Sequence, residues 1–133
     1  MERNVLDEIL SASDLPIRKV HIPQWSRDVF VRSMSGADRD QWELAWTEYR
    51  KRQDSGEGFY AFLVLWTLCD AAGKPLCELP PKPAQVKSMQ EKSGAAIQRL
   101  YTVAAGLNGI GGIELEDAEK NSESAASGSI GSD

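Results

Sequence analysis

Cysteine is scarce in this chain. Two of 133 residues, Cys69 and Cys77, are cysteines, too few for a disulfide scaffold and without the CxxC or Cys/His spacing of a zinc site. They read as free thiols suited to a reducing compartment, with a pairing across the intervening turn as the alternative. Histidine is scarcer: His21 stands alone, beside no serine or cysteine motif, so it reads as a surface or strand-edge residue rather than a general base. Long apolar runs are missing too. The longest, residues 59–69, is about half of the roughly 20 residues that span a bilayer, and MERNVLDEILSASD lacks the apolar core and cleavage site of a signal peptide. The expectation is a protein that is neither secreted nor embedded in a membrane. An excess of positive charge is also absent. Residues 1–108 carry 14 basic and 14 acidic side chains, and the net charge of −5 arises in residues 109–133, which hold one lysine and six acids. Nucleic-acid binding needs clustered Lys and Arg, so no nucleic-acid partner is expected.

What is present has the composition of a globular domain, 41% hydrophobic and 26% charged. Val20 and Ile22, then Val29 and Val31, alternate with polar neighbours at the period of a half-buried strand. Pro23, Ser26 and Asp28 punctuate between them, which predicts a β-hairpin at about residues 18–33. Ser35 follows as a helix N-cap, with Asp38 three residues on as the reciprocal partner of a capping box. Trp42, Ala45, Trp46 and Tyr49 then fall at helical spacing and make one face aromatic. Before the hairpin, Val5, Leu6, Ile9 and Leu10 predict a short helix over about 4–12, closed by Asp14-Leu15-Pro16.

After a Gly-rich loop at 54–58, residues 59–68 are apolar nearly all round, the pattern of a helix enclosed on most sides. Asp70-Ala71-Ala72-Gly73 has the residues of a type I turn, opening a small ribbon through Leu76 and Leu79. Pro80, Pro81 and Pro83 form a stiff connector, with Pro83 in the first turn of a helix over 84–92 whose inward pair is Val86 and Met89. Ser93 caps a last helix in which Ile97, Leu100, Tyr101, Ala104 and Leu107 keep a 3.6-residue period until Asn108-Gly109. The glycines at 106–112 follow a helix and lack the Lys-Ser/Thr of a phosphate loop, and the acids at 114–119 lack EF-hand spacing. No catalytic, cofactor-binding or metal-ligating residue is therefore assigned. The fold class expected is mainly α with a small N-terminal β-hairpin, an α+β short-helix bundle forming one domain over 1–112. Residues 113–133 are expected to be a flexible acidic, Ser/Gly-rich tail.

Four tryptophans remain to be placed. Trp66 reads as core. Trp42 and Trp46 face either inward or a partner, and Trp25, at the hairpin tip, either anchors an interface or packs on a neighbouring helix. Arg39 is left unexplained by capping.

The order of these parts resembles the tail assembly chaperones of long-tailed bacteriophages. The resemblance runs over about residues 5–123. It is carried by Val5-Leu6-Asp7-Glu8-Ile9-Leu10 with Asp14-Leu15-Pro16, Ile22-Pro23-Gln24-Trp25, Val29-Phe30-Val31-Arg32 and Ser35-Gly36-Ala37-Asp38-Arg39-Asp40. Leu68-Cys69-Asp70 with Gly73-Lys74, residues 95–101, Leu107-Asn108-Gly109 and Glu119-Lys120-Asn121-Ser122 continue it. Many members carry glycine after the hairpin tryptophan, where this chain has Ser26. The resemblance implies a non-enzymatic protein of the host bacterial cytoplasm. It would bind the tape measure protein during tail assembly, keep it soluble until the tail tube polymerises, and be absent from the virion. The tail tube protein and further copies of the chain are additional candidate partners. Trp25, Arg32, Arg39, Trp42 and Trp46 form the candidate partner-binding set. Two other readings stand beside it: a head-tail connector or completion protein retained in the particle, and a small enzyme using His21 or the cysteines.

Overall fold

The computed structural model describes residues 4–112. The elements run α1 (Val5–Leu10), β1 (Ile17–Ile22), β2 (Arg27–Arg32), α2 (Gly36–Gln53), α3 (Phe59–Thr67), β3 (Leu68–Cys69), α4 (Pro83–Gln90) and α5 (Gly94–Asn108), with 3₁₀ turns at Pro23–Trp25 and Ile110–Gly112. The fold is α+β: mainly helical, with a three-stranded antiparallel sheet near the N-terminus. The readings made for residues 113–133 lie outside the described residues.

The hairpin pairs Ile17 with Arg32 through Ile22 with Arg27. Period-two alternation puts Val20, Ile22 and Val31 into the core. Its tip is a 3₁₀ turn closed by Ser26 in the left-handed region (φ 51°, ψ 44°), where an L-residue is strained and glycine is not.

The ribbon expected through Leu76 and Leu79 forms only in part, as an antiparallel bridge of Cys69 with Pro75 across the turn. Leu68 and Cys69 leave α3 directly as β3 and pair with Val31 and Phe30 of β2, while Leu76 N–H donates to the Leu68 carbonyl and Leu79 joins no strand. Two residues that continue an apolar helical run show no change of period, so the switch to strand is invisible in the pattern. The turn between is as read: Gly73 N–H donates to the Asp70 carbonyl at 2.9 Å, and Asp70 Oδ1 accepts from Ala72 and Lys74 N–H. Those backbone donors, Lys74 foremost, hold the Asp70 carboxyl below its ordinary value. Gly73 sits at φ 89° with Ile17 Cδ1 2.9 Å from where a Cβ would stand, so the turn packs against the start of β1.

α3 is the central element. Ala61, Phe62, Leu63, Val64, Trp66 and Thr67 are all buried, enclosed by α2, α4, α5 and the sheet. Each large apolar side chain taken fully out of water contributes about 1.5–3 kcal/mol. Thr67 is tolerated there because its hydroxyl donates to the Leu63 carbonyl at 2.9 Å. α4 offers Val86 to the core, and α5 offers Ile97, Leu100, Val103 and Ala104. Ser93 Oγ caps α5 by accepting from Ala96 N–H, and Gly109, left-handed at φ 61°, ends it by donating to the Ala105 carbonyl.

Candidate functional site

Four of the five candidate partner-binding residues are held inside the fold. Arg32, at the end of β2, donates through Nη1 to Asp38 Oδ2 and through Nη2 to the Trp66 carbonyl at 2.5 Å. The other Asp38 oxygen accepts from Trp66 Nε1 at 2.9 Å. With side chains only 11% and 21% exposed, Arg32 and Asp38 clamp β2, α2 and α3 together from within. This corrects the capping box: Ser35 Oγ does accept from Asp38 N–H at 3.1 Å, but the carboxylate turns to Arg32 and Trp66 instead of reaching back. Arg32 Nε is buried with no partner.

Arg39 gains an explanation at the same junction. Its Nη1 donates to the Asn108 carbonyl at 2.8 Å, at the C-terminus of α5 where a cation suits the helix dipole. Its guanidinium also lies 5.6 Å from the Trp42 ring centroid. Asn108 in turn accepts from Met34 N–H at 2.7 Å and donates to the Ala104 carbonyl at 2.9 Å, so one amide locks the end of α5 to the segment between β2 and α2.

Trp42 and Trp46 point inward. Trp42 is buried and tilts against Phe59, with ring centroids 6.0 Å apart, and its indole N–H has no partner. Trp46 meets Phe59 edge-on at 5.3 Å, Phe62 at 5.4 Å and Tyr49 at 5.9 Å. The aromatic face of α2 is therefore packed on α3, and burial raises the Tyr49 hydroxyl above its ordinary value. Trp25 is half-buried against the core at the hairpin tip, and Trp46 and Arg39 keep partial exposure as well.

The groups set aside on sequence are placed as follows. His21 pairs across the exposed hairpin with Asp28, Nδ1 to Oδ1 at 2.7 Å. Both cysteines are free: Cys69 is buried in β3, and the Cys77 thiol lies 3.7 Å from the Leu65 carbonyl. Burial raises both thiols, the dominant cause in each case, which leaves little nucleophilic thiolate at neutral pH. Among the described residues no group of three or more His, Cys, Asp or Glu converges as metal ligands, and no helix is long and apolar enough to cross a membrane.

The surface features able to hold something are grooves, and sequence reasoning missed them. The larger, about 650 Å³, opens between the loop before α3, the start of α3, and facing residues of α4 and α5. Phe59, Ala61 and Ile97 give it apolar lining, Gln90 and Gln98 supply amides, and Tyr60 stands half-exposed at its side. Tyr60 rests against Tyr101 with centroids 4.4 Å apart. Arg99, the residue after Gln98, donates to the His21 carbonyl, which ties the end of β1 to α5. A second trough, about 540 Å³, runs between α2 and the proline connector, floored by Phe62. Groove formation depends on which faces of three helices fail to meet, a tertiary outcome with no local signature. Comparison with protein-family models, with curated proteins and with solved structures finds no match.

Proposed function

We propose that this chain is a tail assembly chaperone of a long-tailed bacteriophage, a non-enzymatic protein that holds the tape measure protein in the host cytoplasm until the tube forms. The order of sequence parts supports the family, and one structural observation supports the mode. The groove of about 650 Å³ at Phe59, Tyr60 and Ile97 is apolar within and amide-edged, with only Glu57 and Lys92 as charges. Such a groove takes the apolar stripe of an amphipathic helix, the repeating unit of a long helical partner, and leaves the partner's polar face in water. Many copies along one long target gain avidity from individually weak contacts. Trp25, half-buried at the hairpin tip, remains in the binding set, whereas Arg32, Arg39, Trp42 and Trp46 also make contacts that join elements of the fold.

Co-expression with a cognate tape measure protein tests this. The long chain is expected to become soluble and to co-purify, and Tyr60→Asp is expected to weaken capture about tenfold or more, the size of a typical hot-spot loss. Tape measure protein that stays insoluble, or stoichiometric recovery of this chain in purified particles, contradicts the reading.

A further inference from the structure

The described residues end beside the larger groove. After α5 the left-handed Gly109 and Gly111 (φ 61° and 69°) turn the backbone toward Tyr101, whose hydroxyl lies 3.7 Å from where a Cβ would stand on Gly111. Tyr101 in turn rests on Tyr60, with ring centroids 4.4 Å apart, and Tyr60 lines the groove. The sequence that follows Gly112 therefore starts next to the groove wall.

That sequence matches the groove in pattern and in length. Ile113-Glu114-Leu115-Glu116-Asp117 alternates, so an extended backbone sends Ile113, Leu115 and Asp117 to one side and both glutamates to the other. Five extended residues reach about 16 Å. From Tyr101 back along α5 to its start at Lys92 is about 13 Å at the helical rise, so Asp117 arrives where the groove holds its one lysine. Phe59 and Ile97 supply apolar lining on the way, and the amides of Gln90 and Gln98 can bond to the peptide groups of a strand. Glu57, the one acid of the lining, belongs to the loop before α3, across the groove from α5. The trough along α2 holds more positive charge at Lys82 and Lys87, but its lining shares no residue with the Tyr60–Tyr101 pair beside Gly111.

We infer that residues 113–117 lie in the groove of their own chain as an extended strap, with Ile113 and Leu115 against Phe59 and Ile97, Asp117 against Lys92, and Glu114 and Glu116 in water. The strap covers the apolar lining while the chain is alone, and an incoming amphipathic helix must displace it. Attachment at Gly112 makes the covering an intramolecular event, so weak contacts suffice. A partner then binds less tightly than to an uncovered groove, in proportion to the fraction of chains whose groove is open. That competition rests on the reading of the groove as the partner's seat, whereas the strap itself does not.

A photo-crosslinking residue in place of Tyr60 of the purified full chain tests the strap, with heavy-isotope and light copies mixed before irradiation. The expected adduct joins position 60 to residues 113–117 and carries a single isotope, because strap and groove belong to one chain. Leu115→Asp is expected to weaken docking about tenfold, read as loss of most of the adduct, and to raise capture of the tape measure protein on co-expression. Lys92→Glu is expected to lower the adduct as well, and Lys92→Glu combined with Asp117→Lys to restore part of it. No adduct to residues 113–117, adducts of mixed isotope, or a yield unmoved by Leu115→Asp overturns the inference. A strap adduct without tape measure capture contradicts the chaperone reading alone, and capture without a strap adduct overturns the strap alone.

Discussion

Asp38 is the residue on which the meeting of three elements depends. It lies in the first turn of α2, where an acid is expected for capping and dipole reasons, and that expectation hides its larger role with Arg32 and Trp66. The sequence carries Arg32 six residues before Asp38 and Trp66 twenty-eight after, and no local rule joins the three. Removing one partner of a buried ion pair leaves the other charge uncompensated, which costs about 3–5 kcal/mol. Asp38→Ala should therefore lower unfolding stability by about 3 kcal/mol in urea titration, and Asp38→Asn, which keeps an acceptor for the Trp66 indole, by clearly less. Equal losses would mean the ion pair adds nothing beyond that hydrogen bond. Ser26 gives the opposite sign. Its left-handed backbone costs an L-residue about 1–2 kcal/mol that glycine does not incur. Ser26→Gly should raise stability by up to about 1 kcal/mol after glycine's greater unfolded-state entropy is set against it, and a fall in midpoint would contradict the strain.

At the scale of elements, what was legible in the sequence was what local chemistry determines. The hairpin, the Ser35 and Ser93 caps, the Asp70–Gly73 turn, the enclosed helix at Phe59–Thr67 and the glycine stop at Gly109 each follow from a few adjacent residues. β3 did not, because its two residues extend an apolar helix without changing period. The inward direction of Trp42 and Trp46 was one of two open readings, and Phe59 and Phe62 on α3 select it by offering ring faces and edges. Long-range polar ties were hidden altogether. Asn108 reads as a helix stop, yet its amide joins α5 to Met34, and Arg39 seals the same helix end. Asn108→Ala removes those side-chain bonds and strands the partly buried Met34 N–H, so a loss of about 2 kcal/mol is expected. The loss should come with faster hydrogen exchange at the β2–α2 junction. Unchanged exchange there would show that Arg39 alone holds the helix end.

Over the described residues, polar clamps and aromatic packing join the elements, while surface grooves and the exposed α1 lie outside. That distribution gives Arg32, Arg39, Trp42 and Trp46 partners within the fold. Tryptophan and arginine are the residue types of interface anchors, but they are also what a small helical core uses to join its elements, and only the fold separates the two uses. The groove at Phe59, Tyr60 and Ile97 is the surface on which the functional reading stands. Its most direct test is a photo-crosslinking residue placed at Tyr60 of the full chain in cells assembling tails, with one at Leu44, an exposed residue of α2, as the control. The account predicts an adduct between position 60 and the tape measure protein before the tube forms, absent from position 44 and from finished particles. No tape measure adduct at position 60, or an equal one at position 44, would contradict it.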